Sequence, residues 1–175
     1  QESRGLGDVY KRQVFGLGSV QRLGTLASEL GMQRPLLVAD RGLVEAGHVT
    51  RVLGLLRDAG MTVVAFHDFD VNPTTTMIER GCTVAVSPQI DGIIGLGGGS
   101  SMDCAKGIGI VSAHGRNILE FEGVDTITSP SPPMILIPTT AGTSADVSQF
   151  AIISDPDRRF KFSIISKAVV PDVSL

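Results

Sequence analysis

The chain has 175 residues, 42% of them apolar and 19% charged, a composition that suits one soluble globular domain with a sizeable core and argues against disorder. Its net charge of −3, without a block of like charges or a basic stripe, gives no footprint for nucleic acid or an anionic membrane, so small ligands are the expected partners. No apolar run is long enough to span a bilayer and no basic leader precedes an apolar signal core, which makes the cytoplasm the default location.

Residues 3–13, Ser-Arg-Gly-Leu-Gly-Asp-Val-Tyr-Lys-Arg-Gln, resemble the translation of a transposase adapter used in sequencing libraries. Residues 1–13 are therefore set aside as an adapter-derived scar or disordered tail, an ordinary polar tail being the alternative. The domain is expected over 14–175. Ser19 can cap a helix over 20–30, with Leu23, Leu26 and Leu30 on one face and Gly31 as its stop. A buried strand follows at 35–39. The pattern then predicts a helix over 43–59, with Leu53, Leu56 and Ala59 among its inward residues and Gly60 ending it. A β-branched run at 61–67 reads as a second strand and leads into a loop at 68–74. Thr74 or Thr75 opens a helix to about residue 87, and a third strand covers 91–96.

The next stretch, Asp-Gly-Ile-Ile-Gly-Leu-Gly-Gly-Gly-Ser-Ser-Met-Asp-Cys-Ala-Lys over 91–106, runs from a strand through three glycines into a helix. Glycines at a strand end allow a sharp turn and let bare N–H groups approach an anion. Ser100 and Ser101 can cap the helix, Asp103 falls in its first turn, and Lys106 follows near the second. The spacing matches neither the G-x-G-x-x-G fingerprint nor the P-loop, so a tight turn without a ligand is the competing reading. Ala105, Ile108 and Val111 face the sheet. A proline-rich connection, 129–133, leads to a strand at 134–137, and then to Thr139-Thr140-Ala141-Gly142-Thr143-Ser144-Ala145-Asp146, a second candidate binding loop. Strands at 150–154 and 160–165 are joined by the turn Asp155-Pro156-Asp157, and the chain stops at 175 within another strand pattern, as a fragment of a longer protein would. Alternating strands and helices make the fold class α/β, with a mostly parallel, Rossmann-like sheet flanked by helices. Cys82 and Cys104 are too few and too far apart for a disulfide framework or a zinc ribbon, and both are expected reduced and at least half buried.

Four segments resemble the iron-containing (group III) alcohol dehydrogenases, relatives of glycerol dehydrogenase and dehydroquinate synthase. They are Val38-Ala39-Asp40, Val71-Asn72-Pro73-Thr74, Gly97-Gly98-Gly99-Ser100 with Asp103 and Lys106, and Ile137-Pro138-Thr139-Thr140-Ala141-Gly142-Thr143. Their order and separation are similar to that family's N-terminal nucleotide-binding domain; the helical C-terminal domain that carries the metal would be absent from this chain. The resemblance implies that Gly97, Gly98, Gly99 and Ser100 hold a pyrophosphate, with Asp103 as a further cofactor contact. Asp40 would accept from the adenosine ribose and favour NAD over NADP. Thr139, Thr140 and Thr143 would line the adenine and ribose side, Lys161 would lie near the nicotinamide, and Asn72 would shape the cleft. It also implies Fe²⁺ or Zn²⁺ in the full-length protein only, a small alcohol or aldehyde substrate, and a homo-oligomer at full length. Where many members read Gly-Thr-Gly-Ser-Glu, this chain has Gly142-Thr143-Ser144-Ala145-Asp146, a carboxylate shorter by one methylene.

Plainer readings exist for several of these positions. Asp40 can cap the following helix, Asp103 can be a helix-start acid, and Lys106 can be solvated. His48, His67 and His114 stand isolated, without an i, i+4 pair or an H-E-x-x-H motif, and are not a metal set. The resemblance implies NAD-dependent interconversion of an alcohol and its carbonyl by the full-length protein, the chain alone being inactive. A dehydroquinate-synthase-like lyase and a non-catalytic nucleotide-binding regulator remain open.

Overall fold

The computed structural model describes residues 12–69, 72–86 and 89–175. The described strands of the main sheet are β1 (Arg12–Gln13), β2 (Pro35–Ala39), β3 (Val64–Phe66), β4 (Gly92–Gly97), β6 (Met134–Pro138) and β9 (Val173–Ser174). They are ordered β1-β9-β6-β4-β2-β3, and each neighbouring pair is parallel. A smaller sheet contains β5 (Gly123–Val124), β7 (Phe150–Asp155) and β8 (Phe160–Ile165) in the order β5-β8-β7, with β7 and β8 antiparallel.

Both faces of the main sheet are covered, which is why its central strands read as unbroken apolar runs. Leu36, Val38, Ile93, Met134 and Leu136 pack on one side with α4 (Thr75–Val86) and α5 (Gly99–His114). Leu37, Ala39, Ile94, Leu96, Ile135 and Ile137 pack on the other with α1 (Leu23–Glu29) and α3 (His48–Asp58). Fully burying each Leu or Ile contributes about 1.5–3 kcal/mol, so this double layer fixes which strands are central.

Several elements differ from the sequence reading. The first helix begins as a 3-10 turn at Ser19–Arg22; its N-cap is Gly18 and Ser19 makes no cap, leaving α1 as two turns. The segment expected as one helix is broken into α2 (Arg41–Glu45) and α3 by Gly47, whose φ of 79° is open to glycine at no steric cost. Hydrophobic periodicity does not register such a break. In α3 the buried residues are Val49, Val52 and Leu56, and Ala59 is exposed beyond the helix end. The second strand shrinks to the three residues of β3. Arg12 and Gln13, assigned to the tail, run alongside β9 as β1; ladder bonds use backbone alone, so side-chain pattern could not signal them. The rest of that tail lies outside the described residues, as does the expected helix end at residue 87.

Candidate nucleotide site

Leaving aside the two-residue β1, the five remaining strands numbered along the chain are ordered 2-1-3-4-5 from β3 to β9, so strand order reverses between β2 and β4. In open α/β sheets of this order, ligands bind outside the carboxyl ends of the strands at that reversal. Asp40 lies just past the end of β2, Gly97 at the end of β4, and Thr139 just past the end of β6. Ala39 is aligned with Leu96, and Gly97 with Pro138, so the three exits sit side by side.

Gly97 turns with φ 143°, a conformation that side chains rarely adopt, and a Cβ there would lie 2.5 Å from Ser101 Oγ. Gly98 is the N-cap of α5 and offers no side chain; Ser100 and Ser101, expected as caps, fall inside the first turn instead. The chain turns so abruptly that the helix begins two residues earlier than capping by Ser100 would require. Met102 N–H donates to Gly98 O at 3.1 Å as the first bond of the helix, so the amides of Gly99, Ser100 and Ser101 have no intrahelical partner at the end that follows β4. That is a positive, hydrogen-bonding helix end.

The threonine turn closes over this end. Thr139 N–H donates to Gly97 O at 2.9 Å. A Cβ on Gly98 would come within 3.2 Å of Thr140 Oγ1, and one on Gly99 within 3.4 Å of Thr143 Cβ. The glycine and threonine turns thus pack against each other at adjoining strand exits, and the surface that they border with Asp40 and Asn72 is the candidate crevice. Thr140 also borders an adjoining cleft of about 520 Å³ between its own turn, the segment after β1 and the end of β9.

Asn72 sits at the crevice's other margin with φ 57°, which its short polar side chain tolerates. Its backbone N–H donates to Ser100 Oγ at 3.3 Å, and its Oδ1 accepts from Lys161 Nζ of β8 at 3.2 Å. Lys161 and Asn72 are both exposed towards this edge.

Asp40 does two structural jobs: Oδ1 accepts from Leu43 N–H at 3.1 Å as the N-cap of α2, and Oδ2 accepts from Ser101 Oγ at 2.9 Å. The plainer reading of this residue is thereby realised. Each oxygen retains a further lone pair for a ligand. Ser101 was visible in sequence only as a cap, and nothing in the pattern pointed to its bond across to β2.

Asp103 and Lys106 depart most from expectation. Asp103 Oδ2 accepts from Ile152 N–H at 3.3 Å, and burial pushes its carboxyl up to about 6 against the pull of Lys106. Lys106 is fully buried, with its ammonium on Ser148 O, Ser148 Oγ and Phe150 O. Burial lowers it to about 8, opposed by Asp103 and Asp146. It is neither solvated nor turned to the crevice. His114 bridges Ile110 O and Ser129 N–H, and among the described residues no group of three or more His, Cys, Asp or Glu could hold a metal.

A family model described as iron-containing alcohol dehydrogenase matches residues 11–175. The 1,3-propanediol dehydrogenase of Klebsiella pneumoniae is 36% identical over 163 residues, 92% of this chain and 42% of that protein. The NAD-dependent methanol dehydrogenase of Bacillus methanolicus is 34% identical over 162 residues, 93% of this chain and 42% of that protein. The crystal structure of a 1,3-propanediol oxidoreductase superposes with a TM-score of 0.90 at 36% identity, over 93% of this chain and 43% of that one. This chain therefore spans about two fifths of the length of the relatives it matches. By sequence along nearly its whole length and by fold, the chain belongs to the iron-containing alcohol dehydrogenase family.

Proposed function

We propose that the crevice binds NAD and that the full-length protein is an NAD-dependent alcohol dehydrogenase, interconverting a primary or small secondary alcohol and its aldehyde or ketone. The carrying observation is that Asp40 and the glycine turn flank the point where strand order reverses, while the threonine turn, at the next strand exit, packs against the first turn of α5. The relatives' activities, among them an NAD-dependent methanol dehydrogenase, support the same reading.

In this reading the amides of Gly99 and Ser100 bind the pyrophosphate, and the missing side chains at Gly98 and Gly99 leave the room it needs. Asp40 orients the adenosine ribose, and its charge repels a 2′-phosphate. Thr139, Thr140 and Thr143 line the adenosine side, while Lys161, held by Asn72, orients the nicotinamide end. When bound, NAD supplies the hydride acceptor. The described residues do not fit the metal that the family's description names, so this segment's contribution is to bind and orient the coenzyme. Residues 14–175 are then the coenzyme domain of a cytoplasmic homo-oligomer that acts on small alcohols and aldehydes.

Calorimetric titration of the chain with NAD and NADP tests this. Weak, saturable binding of NAD in preference to NADP is expected, with no alcohol oxidation by the chain alone. Absence of NAD binding at millimolar coenzyme overturns the reading.

A further inference from the structure

Lysine is rarely buried without a partner, and Lys106 is 0% exposed. Its three acceptors lie where the threonine turn passes into β7: Ser148 O at 3.0 Å, Ser148 Oγ at 3.3 Å and Phe150 O at 2.7 Å. Three ammonium donors are thus fully used.

β7 is the edge strand of the small sheet, paired only with β8 among the described strands. Alternate residues of an edge strand turn their backbone groups away from the neighbouring strand and must find other partners or water. On β7 these are Phe150, Ile152 and Ser154. Phe150 O accepts from Lys106, Ile152 N–H donates to Asp103, and Ser154 N–H donates to Pro73 O at 2.8 Å. Two side chains of α5 and the loop holding Asn72 therefore occupy the places a further strand would take. The same helix that opens at the glycine turn grips β7 one to two turns later.

We propose that Lys106 and Asp103 are positioning residues of the nucleotide crevice: by pairing the open edge of β7 they hold the threonine turn and the Lys161-bearing hairpin at a set distance from the glycine turn. Neither side chain touches the ligand. The inference rests on the NAD reading and changes the role of Asp103 from cofactor contact to strand anchor.

The test uses Lys106→Met, which keeps the length and apolar stem but has no donor, and Asp103→Ala, which removes the acceptor for Ile152. Site-resolved amide hydrogen exchange is measured without ligand, and NAD affinity by calorimetry. Lys106→Met is expected to speed exchange across residues 144–154 by about tenfold, with amides of β2, β4 and β6 unchanged, and to weaken NAD binding by about tenfold. Asp103→Ala is expected to speed exchange at Ile152 first, and it carries the test if the lysine variant does not fold. Leu56→Ala, in the core on the opposite face of the sheet, serves as a control that lowers thermal stability without changing NAD affinity.

Exchange over 144–154 that matches the wild type in the folded variants overturns the proposal. So does faster exchange combined with unaltered NAD affinity, and so does an equal affinity loss in Leu56→Ala. A wild-type chain that binds no NAD sinks the nucleotide reading and the crevice role with it, and in that case faster exchange in the variants shows only a structural clamp.

Discussion

Thr139 donates its backbone N–H to the carbonyl of Gly97 at 2.9 Å, joining the exits of β6 and β4 so that two loops distant in sequence form one wall. Everything proposed for the crevice depends on that juncture. Gly97 supplies it with φ 143° and no room for a Cβ. Gly97→Ala is expected to cost about 1–3 kcal/mol of stability from strain alone, read as a lower midpoint in denaturant unfolding, and to abolish NAD binding with it.

Gly99→Ala separates binding from folding. A Cβ there meets Thr143 at ordinary contact distance, 3.4 Å, and alanine suits a helix better than glycine. The thermal midpoint is expected to hold or rise, while NAD affinity falls by about tenfold or more if, as proposed, the pyrophosphate approaches the amide of residue 99. Calorimetry and thermal melts on one preparation give both readings.

Asp40→Ala removes the N-cap of α2 and the acceptor for Ser101, for an expected loss of about 1–2 kcal/mol. Because it also removes the negative charge that the proposal sets beside the ribose, the ratio of NADP to NAD affinity is expected to rise. A ratio that stays put, measured by competition titration, argues against Asp40 as the discriminating group.

The Asp103–Lys106 pair predicts a particular pH dependence. Folding raises Asp103 from 3.8 to about 6, so the folded state holds its proton more tightly, and the stability this gives is present at low pH and lost as pH climbs from about 4 through 6. Folding lowers Lys106 from 10.5 to about 8, so its contribution is present above 10.5 and lost as pH falls through 8. Their joint contribution is lowest between pH 6 and 8, where both are charged. In denaturant unfolding from pH 4 to 10.5, Asp103→Asn is expected to flatten the acid limb of the wild-type curve, and Lys106→Met the alkaline limb.

Burial raises the thiols of Cys82, to about 11, and of Cys104, so neither forms thiolate readily at neutral pH. Native protein treated with a thiol reagent at pH 7.5 is expected to react slowly at Cys82 and hardly at Cys104, with both labelled at once on unfolding. Rapid native labelling of Cys104 would contradict its buried place in α5.

The parallel α/β class, the strand Pro35–Ala39, the strand expected at 134–137 and observed one residue longer, and the glycine and threonine turns were all legible in the sequence, because continuous apolar runs, capping threonines and glycine clusters act over a few residues. A threonine start for α4, at Thr74 or Thr75, and the Asp155 turn between β7 and β8 were legible for the same reason: Thr74 Oγ1 accepts from Met77 N–H ahead of the first helical residue, Thr75, and Asp155 Oδ1 accepts from Asp157 and Arg158 N–H. The pairing of β1 with β9, the reach of Ser101 to Asp40 and the inward turn of Lys106 onto β7 became visible only in the folded chain. Each of these joins groups 40 or more residues apart in the chain, through backbone or polar side chains whose partner is chosen by packing and by the cost of leaving a buried polar group unpaired. A charged residue on a helix reads the same in sequence whether it points to water or to the open edge of a strand.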